Sequence, residues 1–221
     1  MAKGEIYHLG VRSDMVAFLP QRYQRVLEIG CGVGGFRRNL SADCEYWGVE
    51  PDAASVQQAQ AANIRVLSGV YDEVADQLPD GYFDLVICND VIEHMPDHDV
   101  FLRQIQQKMT ADGCLVGSVP NMRYYDVLRE LLLQRDWRYR DEGILDRTHL
   151  RFFTRISLQR SLAGADFNLE ALQGVNNKLP RPSSLKKMRR YLTIRLFELF
   201  SLGGYSDIKF MQFGFRVRRK P

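Results

Sequence analysis

The segment VLEIGCGVGG, residues 26–35, constrains the fold of this chain more than any other feature. An apolar run ends in a turn with glycines at Gly30, Gly32 and Gly34, and a helical stretch through Leu40 follows. Glycine permits positive φ angles and lets a ligand lie against the backbone. The segment therefore predicts a β-strand, a tight ligand-binding turn and a helix.

Short runs rich in Val, Ile and Leu alternate with helical stretches along the chain. This alternation is typical of an α/β protein with a parallel sheet covered on both faces. We expect strands at residues 25–29, 45–49, 64–68, 83–89, 114–119, 168–174 and 208–217. We expect helices at roughly 11–19, 52–62, 72–78, 97–109, 121–140, 155–164 and 184–202.

Two carboxylates flank the glycine turn. Glu50 ends the second predicted strand, where an acidic side chain can accept hydrogen bonds from both ribose hydroxyls of a nucleoside. Glu28 precedes the turn, where a carboxylate would repel a pyrophosphate and attract an ammonium group. The glycines also lack the GxGxxG spacing of dinucleotide-binding turns. These features favour S-adenosylmethionine, which has a ribose and an ammonium group and lacks phosphate.

Three features resemble the class I S-adenosylmethionine-dependent methyltransferases: the ExGCGxGG pattern, Glu50, and FDLVICNDVIEHMPD at residues 83–97. They resemble in particular the small-molecule group that includes ubiquinone O-methyltransferases. GILDRTHLRFFT, residues 143–154, further resembles a subgroup met in bacterial cell-surface glycan and O-antigen gene clusters. The resemblance implies a Rossmann-like, doubly wound, mostly parallel seven-stranded sheet whose last strand is antiparallel.

The same resemblance implies which residues contact the cofactor, whose product is S-adenosylhomocysteine. The glycine turn and the end of the fourth strand would surround the methionine moiety, and Glu50 would hold the ribose. The residues implied for these contacts are Glu28, Gly30, Gly32, Gly34, Glu50, Asn89 and Asp90.

The adenine contact departs from the family pattern. Many family members carry an acidic residue after the third strand, whereas this chain has Gly69, Val70 and Tyr71 there. We expect the backbone groups of Val70 and Tyr71 to contact the adenine, with help from Asp72.

Two histidines are candidate catalytic bases. Methyl transfer from a sulfonium to a hydroxyl requires an aligned acceptor and removal of its proton, and an unperturbed histidine pKa lies near ~6.5. His94 follows the fourth strand, and His149 lies in DRTH, where Asp146 can orient it. Each histidine also has a structural interpretation. His94 could hydrogen-bond a loop carbonyl, and His149 could pin its loop through Asp146 and Thr148.

We expect no metal site. In EHMPDHD, Glu93 and His94 are followed by Asp97 and His98, but methyl transfer needs no metal and we do not expect these four residues to form a cluster. The cysteines are far apart and form no CxxC pair, which argues against zinc and disulfides. We expect reduced, mostly buried thiols at Cys31, Cys44, Cys88 and Cys114.

An aromatic and basic group follows the fifth strand. Sugar rings stack on aromatic faces, and arginines pair with phosphates. In the resembled fold, residues 121–150 would cover a pocket for a small-molecule or glycan-linked acceptor. The alternative is a solvated helix whose aromatic side packs on the core. The group comprises Arg123, Tyr124, Tyr125, Trp137, Arg138, Tyr139 and Arg140.

Basic charge is concentrated at the C-terminal end. Residues 1–177 hold 18 Lys and Arg against 25 Asp and Glu, whereas residues 178–221 hold 12 against 2. The predicted helix at 184–202 has an apolar side and a basic side, as interfacial membrane helices have. Peripheral membrane contact is one prediction. Packing of the apolar side on the sheet, a dimer contact and RNA binding are the alternatives, although no RNA-binding module accompanies the helix.

Together these features predict a single methyltransferase domain over residues 1–221, with an N-terminal helix in 1–20 and a basic amphipathic insertion at 178–204. No secretory signal and no membrane-span-length apolar run is present, so we expect a soluble cytoplasmic protein, at the inner membrane face if the helix docks. The predicted function is O-methylation. The alternatives are an RNA methyltransferase and a non-catalytic partner that binds the cofactor and docks at a membrane.

Overall fold

The computed structural model describes residues 11–181 and 183–220. Within them, seven strands form one mixed sheet. The first four predicted strands are confirmed, and their observed bounds differ from the predicted ones by at most two residues. The strands are β1 (Arg25–Ile29), β2 (Glu45–Glu50), β3 (Val66–Ser68), β4 (Phe83–Asn89), β5 (Met109–Pro120), β6 (Phe167–Asn177) and β7 (Phe210–Arg219).

Four of the α-helices start at a side chain that accepts a hydrogen bond from a free backbone N–H group. Asp52, Asp97, Thr154 and Ser184 each cap one helix in this way. The α-helices are α1 (Ala53–Ala61), α2 (Tyr71–Val74), α3 (His98–Lys108), α4 (Tyr125–Arg129), α5 (Arg155–Gly164) and α6 (Leu185–Phe200). Short 3₁₀ helices cover Ser13–Phe18, Gly35–Asn39, Ala75–Gln77 and Ile92–His94, and a π-helical turn covers Glu130–Gln134.

The strand order is β3-β2-β1-β4-β5-β7-β6. Strands β1 to β5 are parallel, and β7 is antiparallel to both β5 and β6. The expected seven-stranded, mostly parallel sheet with an antiparallel last strand is confirmed. The direction of winding reverses between β1 and β4, and in such sheets ligands bind beyond the carboxyl ends of the strands at that point. The glycine turn after β1 lies at this edge.

Both faces of the sheet are buried. Along β4, Leu85 and Ile87 pack into one apolar cluster, while Val86 and Cys88 pack into the other. This alternation follows from the two-residue period of a strand and explains why β4 is apolar almost throughout. The four cysteines are free and buried, as expected.

The predicted helix at 121–140 is wrong in extent, since helical structure covers only Tyr125–Gln134. The Asn121 side chain donates hydrogen bonds to the carbonyls of Asp207 and Phe210, which holds the segment before α4 to the start of β7. Arg135 has a φ of 55° and ends the helical segment. Left-handed backbone cannot continue a helix, so the sequence propensity is overridden there.

The predicted N-terminal helix is shorter and tighter than expected. A 3₁₀ helix covers Ser13–Phe18, and the part of the prediction at residues 1–10 lies outside the described residues. Its apolar residues Met15 and Phe18 pack against the face that contains Leu85 and Ile87. Across the parts of the chain given above, no helix has the length and apolar character needed to cross a membrane.

Candidate active site

The glycine turn has the backbone geometry that its sequence predicts. Gly30, Gly32 and Gly34 have φ angles of 69°, 53° and 78°. The Gly30 N–H donates to the Val49 carbonyl at 2.8 Å, which ties the turn to the end of β2. A Cβ atom at Gly30 would lie 2.8 Å from Val91 Cγ2. The turn therefore lies against the end of β2 and against the Val91 side chain, with no room for a side chain at Gly30.

Glu50 lies directly beside the turn. One carboxylate oxygen accepts the Gly32 N–H at 2.8 Å, and the other accepts the Asp52 N–H at 2.9 Å. The side chain is buried, and each oxygen keeps a further lone pair for a ligand donor. The structure thus brings together Glu50 and Gly32, the two parts of the predicted nucleoside site.

Glu28 differs from the prediction in its electrostatics. The carboxyl is buried within the sheet layer and accepts a hydrogen bond from the Tyr46 hydroxyl at 2.5 Å. Burial raises its pKa to about 8, against a lowering effect of the Tyr46 hydrogen bond. Because the group is mostly protonated at neutral pH, it does not supply the fixed negative charge expected to attract an ammonium group.

Asn89 and Asp90 lie at the carboxyl end of β4, next to the turn. Both polar atoms of the Asn89 amide are buried and lack a hydrogen-bond partner among the residues described. An orphaned amide at this edge fits a polar ligand there. The Asp90 carboxylate is instead engaged by the chain itself, with hydrogen bonds from Ser118 at 2.8 Å and Gln212 at 2.7 Å and an ion pair to Arg12.

The groups predicted to contact the adenine, at Val70 and Tyr71, partly interact with other residues of the chain instead. The Val70 N–H donates to the Glu73 carboxylate at 3.3 Å, while the Val70 side chain is exposed. The Tyr71 side chain belongs to the core and packs edge-on against Phe101, with ring centroids 5.0 Å apart. The exposed Val70 side chain, rather than its N–H, is the group open to a ligand.

His94 and His149 are far apart in sequence but meet in the structure. Their ring centroids lie 4.8 Å apart with the planes at 71°. His94 Nδ1 donates to the Thr148 carbonyl at 3.2 Å, and His149 Nδ1 donates to the Ile144 carbonyl at 3.0 Å. Because Nδ1 carries the proton in each ring, the Nε2 lone pair is available in the neutral form.

The same geometry corrects the role expected of Asp146. Its carboxylate accepts hydrogen bonds from the Thr148 backbone N–H and hydroxyl at 2.8 and 2.7 Å, and the Ile144 carbonyl orients the His149 ring. Both hydrogen bonds lower the Asp146 pKa against the opposing effect of its burial. Asp146 therefore shapes the loop that carries His149.

The pKa of His94 is lowered, which keeps its imidazole neutral and able to accept a proton at neutral pH. This pKa is lowered from 6.5, chiefly by desolvation of the packed side of the ring and next by the neighbouring His149. Loop contacts support this arrangement, since the Leu150 and Arg151 N–H groups donate to the Glu93 carbonyl at 2.8 and 3.0 Å.

Glu93 completes a group that sequence reasoning did not identify. Ligand atoms of Glu93, His94 and His149 all lie within 4.8 Å of one another, so these residues could hold a metal ion. The Glu93 carboxylate is fully buried without a partner in the described ranges, and burial followed by the nearby Asp90 raises its pKa well above its usual value. The expectation that no metal takes part stays a prediction.

Asp97 and His98 do not join this group. Asp97 caps α3 through the Val100 N–H, and His98 Nε2 lies 2.9 Å from the Ser161 hydroxyl. Proximity in the sequence groups Glu93 and His94 only with Asp97 and His98. Their meeting with His149 could not be predicted, because His149 is distant from them in sequence.

A pocket of about 420 Å³ opens beside His149. Tyr139 from the predicted aromatic group lines the pocket, and Trp137 packs edge-on against the lining residue Phe152 with the ring centroids 5.4 Å apart. Other members of that group lie elsewhere. Arg123 pairs with Asp207 at 3.0 Å, for example. The pocket is lined by Tyr139, Arg147, His149, Leu150 and Phe152.

A larger cavity, about 560 Å³, lies at the opposite edge of the sheet, next to Gln24 and Asp84. There the Asp84 carboxylate accepts the backbone N–H groups of Gln24 and Arg25 at 2.9 to 3.1 Å. This edge carries the starts of β1 and β4. It is remote from the glycine turn, so we place the active site at the carboxyl edge.

Relatives of known sequence share most of this region. Residues 10–172 match a family model described as a methyltransferase domain. The ubiquinone biosynthesis O-methyltransferase of Azorhizobium caulinodans is 28% identical over 182 residues, which cover 77% of this chain and 68% of that protein. Ajmaline N-methyltransferase of Rauvolfia serpentina is 31% identical over 106 residues, which cover 44% of this chain and 36% of that protein. The match to the latter thus spans about a third of its length.

The fold has solved counterparts. A S-adenosylmethionine-dependent methyltransferase from Archaeoglobus fulgidus superposes with a TM-score of 0.65 at 19% identity, over 97% of this chain and 94% of that one. The site fits a nucleoside linked to an amino acid. Glu50 is hydrogen-bonded to Gly32 of the turn, and the Asn89 amide beside them has no hydrogen-bond partner among the described residues. The chain belongs to the methyltransferase-domain family, and the geometry at Glu50, Gly32 and Asn89 fits S-adenosylmethionine as its cofactor.

Proposed function

We propose that the protein methylates a hydroxyl oxygen on a small-molecule, glycan-linked or lipid-linked acceptor. The observation that carries this proposal is the juxtaposition of His94 and His149 beside the pocket lined by Tyr139 and Phe152. A hydroxyl needs a base at neutral pH far more than a neutral amine does. A pair of imidazoles with free Nε2 atoms meets that need.

Proton and methyl group move together in the proposed reaction. S-adenosylmethionine, held by Glu50 and the glycine turn, would supply a methyl group on a sulfonium, which is already activated for displacement. The acceptor oxygen forms the new C–O bond as the carbon–sulfur bond breaks, and Nε2 of one histidine takes the hydroxyl proton. The products are a methyl ether, S-adenosylhomocysteine and a protonated imidazole that returns its proton to solvent. The protein contributes alignment and the base.

The pocket supports a ring-containing acceptor. Tyr139 and Phe152 offer aromatic faces on which a sugar or other ring can stack. Arg147 lines the same pocket and pairs with the exposed Asp141 at 2.8 Å, an ion pair weak enough to yield to an anionic acceptor group. The relative from Azorhizobium caulinodans is named an O-methyltransferase, which agrees with a hydroxyl acceptor.

RNA methylation has less support. Of the basic residues near the C-terminus, Arg216 and Arg218 pair with Glu170 at 2.7 and 2.5 Å, and Lys220 pairs with Asp166 at 3.5 Å. These pairs reduce the free positive charge available to phosphates.

The acceptor can be found directly. Purified protein is incubated with methyl-labelled cofactor and fractionated cell extract, and we expect label in a lipid or sugar fraction, stable to alkali as an ether is. Label that is removed by ribonuclease would overturn the proposal.

The base is tested with variants. His94→Gln and His149→Gln are expected to lower kcat by about 10²-fold or more while leaving S-adenosylhomocysteine affinity unchanged. His98→Gln, a histidine held at Ser161, is the matched control and should retain activity. Since the base must be neutral and the His94 pKa is lowered, kcat/KM should rise with pH to a plateau with its midpoint below 6.5. Unchanged kcat in both variants would contradict the assignment.

A further inference from the structure

One side of α6 is fixed to the body of the protein. Ile194 is fully buried, and Arg190 pairs with Asp126 at 3.0 Å and donates to the Tyr124 hydroxyl at 2.9 Å. Near the other end of the helix, Lys209 pairs with Glu198 at 2.7 Å. These contacts determine which side of the helix points away from the sheet.

The opposite side is a stripe of exposed apolar side chains, which we call the outer stripe. At 100° per residue these positions centre on the direction opposite Ile194. The stripe does not pack on the sheet, so that alternative from the sequence is wrong for these residues. Its members and exposed fractions are Leu185 (77%), Met188 (38%), Leu192 (50%), Leu196 (50%), Leu199 (69%) and Phe200 (81%).

Positive charge accompanies the outer stripe. Lys186, Lys187 and Arg189 lie in the first half of α6, all exposed. At 100° per residue, Arg189 lies within the outer stripe and Lys186 at its edge, whereas Lys187 lies on the side of Ile194. The helix contains a single acidic residue, Glu198, which is turned inward to Lys209 and is also paired with Arg195 at 2.8 Å. The exposed surface of α6 is therefore apolar and cationic, without an accessible carboxylate.

We propose that the outer stripe docks the protein onto an anionic lipid surface, with α6 lying in the interface. Apolar side chains would enter the acyl boundary while the basic side chains contact lipid phosphates, and the two contributions add. Lysines and arginines reach such phosphates by extending along the apolar surface. Six exposed apolar side chains in one stripe are costly in water and need a partner surface.

Charge favours a lipid surface over the other partners. In a two-fold dimer built on the outer stripe, Lys186 and Arg189 of one copy would face a second copy with the same charges and no accessible carboxylates on α6. RNA would satisfy the charges but leave the apolar side chains exposed. An anionic bilayer satisfies both features.

This inference goes beyond the proposed function and does not depend on the acceptor. Docking needs neither cofactor nor histidines, so its test is separate from a test of methyl transfer. If both hold, the pocket beside His149 works close to a lipid surface, where a lipid-linked acceptor would be concentrated.

The test is co-sedimentation of the full chain with vesicles of phosphatidylcholine alone or mixed with phosphatidylglycerol. We expect binding to the anionic vesicles that is about tenfold tighter than to neutral ones. Binding should weaken between roughly 0.1 M and 1 M salt, as the Debye length falls from about 10 to about 3 Å.

Two variants separate the contributions. Leu192→Asp with Leu196→Asp should lower vesicle affinity about tenfold or more by removing apolar burial. Lys186→Glu with Arg189→Glu should lower affinity for anionic vesicles to the level of neutral ones. Ile156→Asp is the matched control, because Ile156 is an exposed apolar residue on α5, and it should bind as the wild type does.

Folding is checked by the thermal midpoint and by S-adenosylhomocysteine affinity, which should stay unchanged in all three variants. Wild-type affinity in the leucine variant would overturn the proposal. A dimer in sedimentation equilibrium that this variant dissociates, without vesicle binding by the wild type, would assign the outer stripe to self-association. Salt-sensitive RNA binding in the absence of vesicle binding would assign the surface to RNA.

Discussion

Glu28 is a buried acid within an apolar layer, and its surroundings decide its charge. With a pKa near 4.5 in the unfolded chain and about 8 in the folded protein, it holds a proton in the folded state over the whole interval between. In that window folding takes up a proton, so the free energy of unfolding falls as pH rises. Stability from the neutral carboxyl is complete below 4.5 and is lost by about 8.

Glu28→Gln tests this directly, because the amide copies the neutral acid. Between pH 5 and 8 the wild type should lose stability relative to the variant by at most about 1.4 kcal/mol per pH unit, measured by urea unfolding. Glu45→Gln is the control. Glu45 is exposed, and hydrogen bonds from Tyr82 and then Trp47 lower its pKa from 4.5. Its contribution to the free energy of unfolding should therefore stay constant between pH 5 and 8 and should decrease only as the pH falls below 4.5. A pH-independent difference for Glu28→Gln would show that the wild-type carboxyl is charged throughout.

The glycine turn is the element that links sequence to site most directly. Gly34 has a φ of 78°, and a Cβ there would overlap the Cδ1 atom of Ile64. Gly81 has a φ of 62° with nothing within 4 Å of its Cβ position. The two glycines share the backbone conformation and differ only in the space around them.

Gly34→Ala and Gly81→Ala therefore separate backbone cost from packing cost. Each should lose about 1 kcal/mol from left-handed strain, and Gly34→Ala should lose about 1 to 3 kcal/mol more from overpacking. Only Gly34→Ala should also weaken S-adenosylhomocysteine binding, measured by calorimetry. Equal losses in the two variants would mean that the turn tolerates the methyl group.

Elements with strong local patterns could be predicted closely. β1 and β4 have the predicted bounds because their apolar runs end at glycine and at polar residues. The bounds of the helix in 121–140 could not, since the residues before it are held by hydrogen bonds from Asn121 to the distant Asp207 and Phe210 carbonyls. Local propensity carries no information about such partners.

At the scale of the whole molecule, the site is assembled from distant parts of the chain. Arg12, Asp90, Ser118 and Gln212 form one hydrogen-bonded cluster that joins the N-terminal segment to β4, β5 and β7. The loop at 144–151, which carries His149 to His94, is held to the Glu93 carbonyl by the Leu150 and Arg151 N–H groups. The geometry of the candidate site therefore depends on the complete fold.

This assembly makes a prediction for metal ions. Zn²⁺ should inhibit methyl transfer, because Glu93, His94 and His149 offer ligands within 4.8 Å and zinc would occupy the Nε2 lone pairs that the base needs. A chelator should restore activity, and His149→Gln, assayed on its residual activity, should be inhibited at least about tenfold less strongly. Stimulation of the wild type by Zn²⁺, with loss of activity on chelation, would instead make the metal part of the reaction.

The α/β class, the glycine turn with its Glu50 partner, and the expected cofactor could be predicted from the amino-acid sequence, because they depend on local periodicity and on residues with special backbone or charge properties. The raised pKa of Glu28, the meeting of His94 with His149 and Glu93, and the outward direction of the α6 stripe became visible only in the folded chain. Burial, pKa and orientation arise from neighbours that are distant in sequence, and a linear pattern does not contain those neighbours.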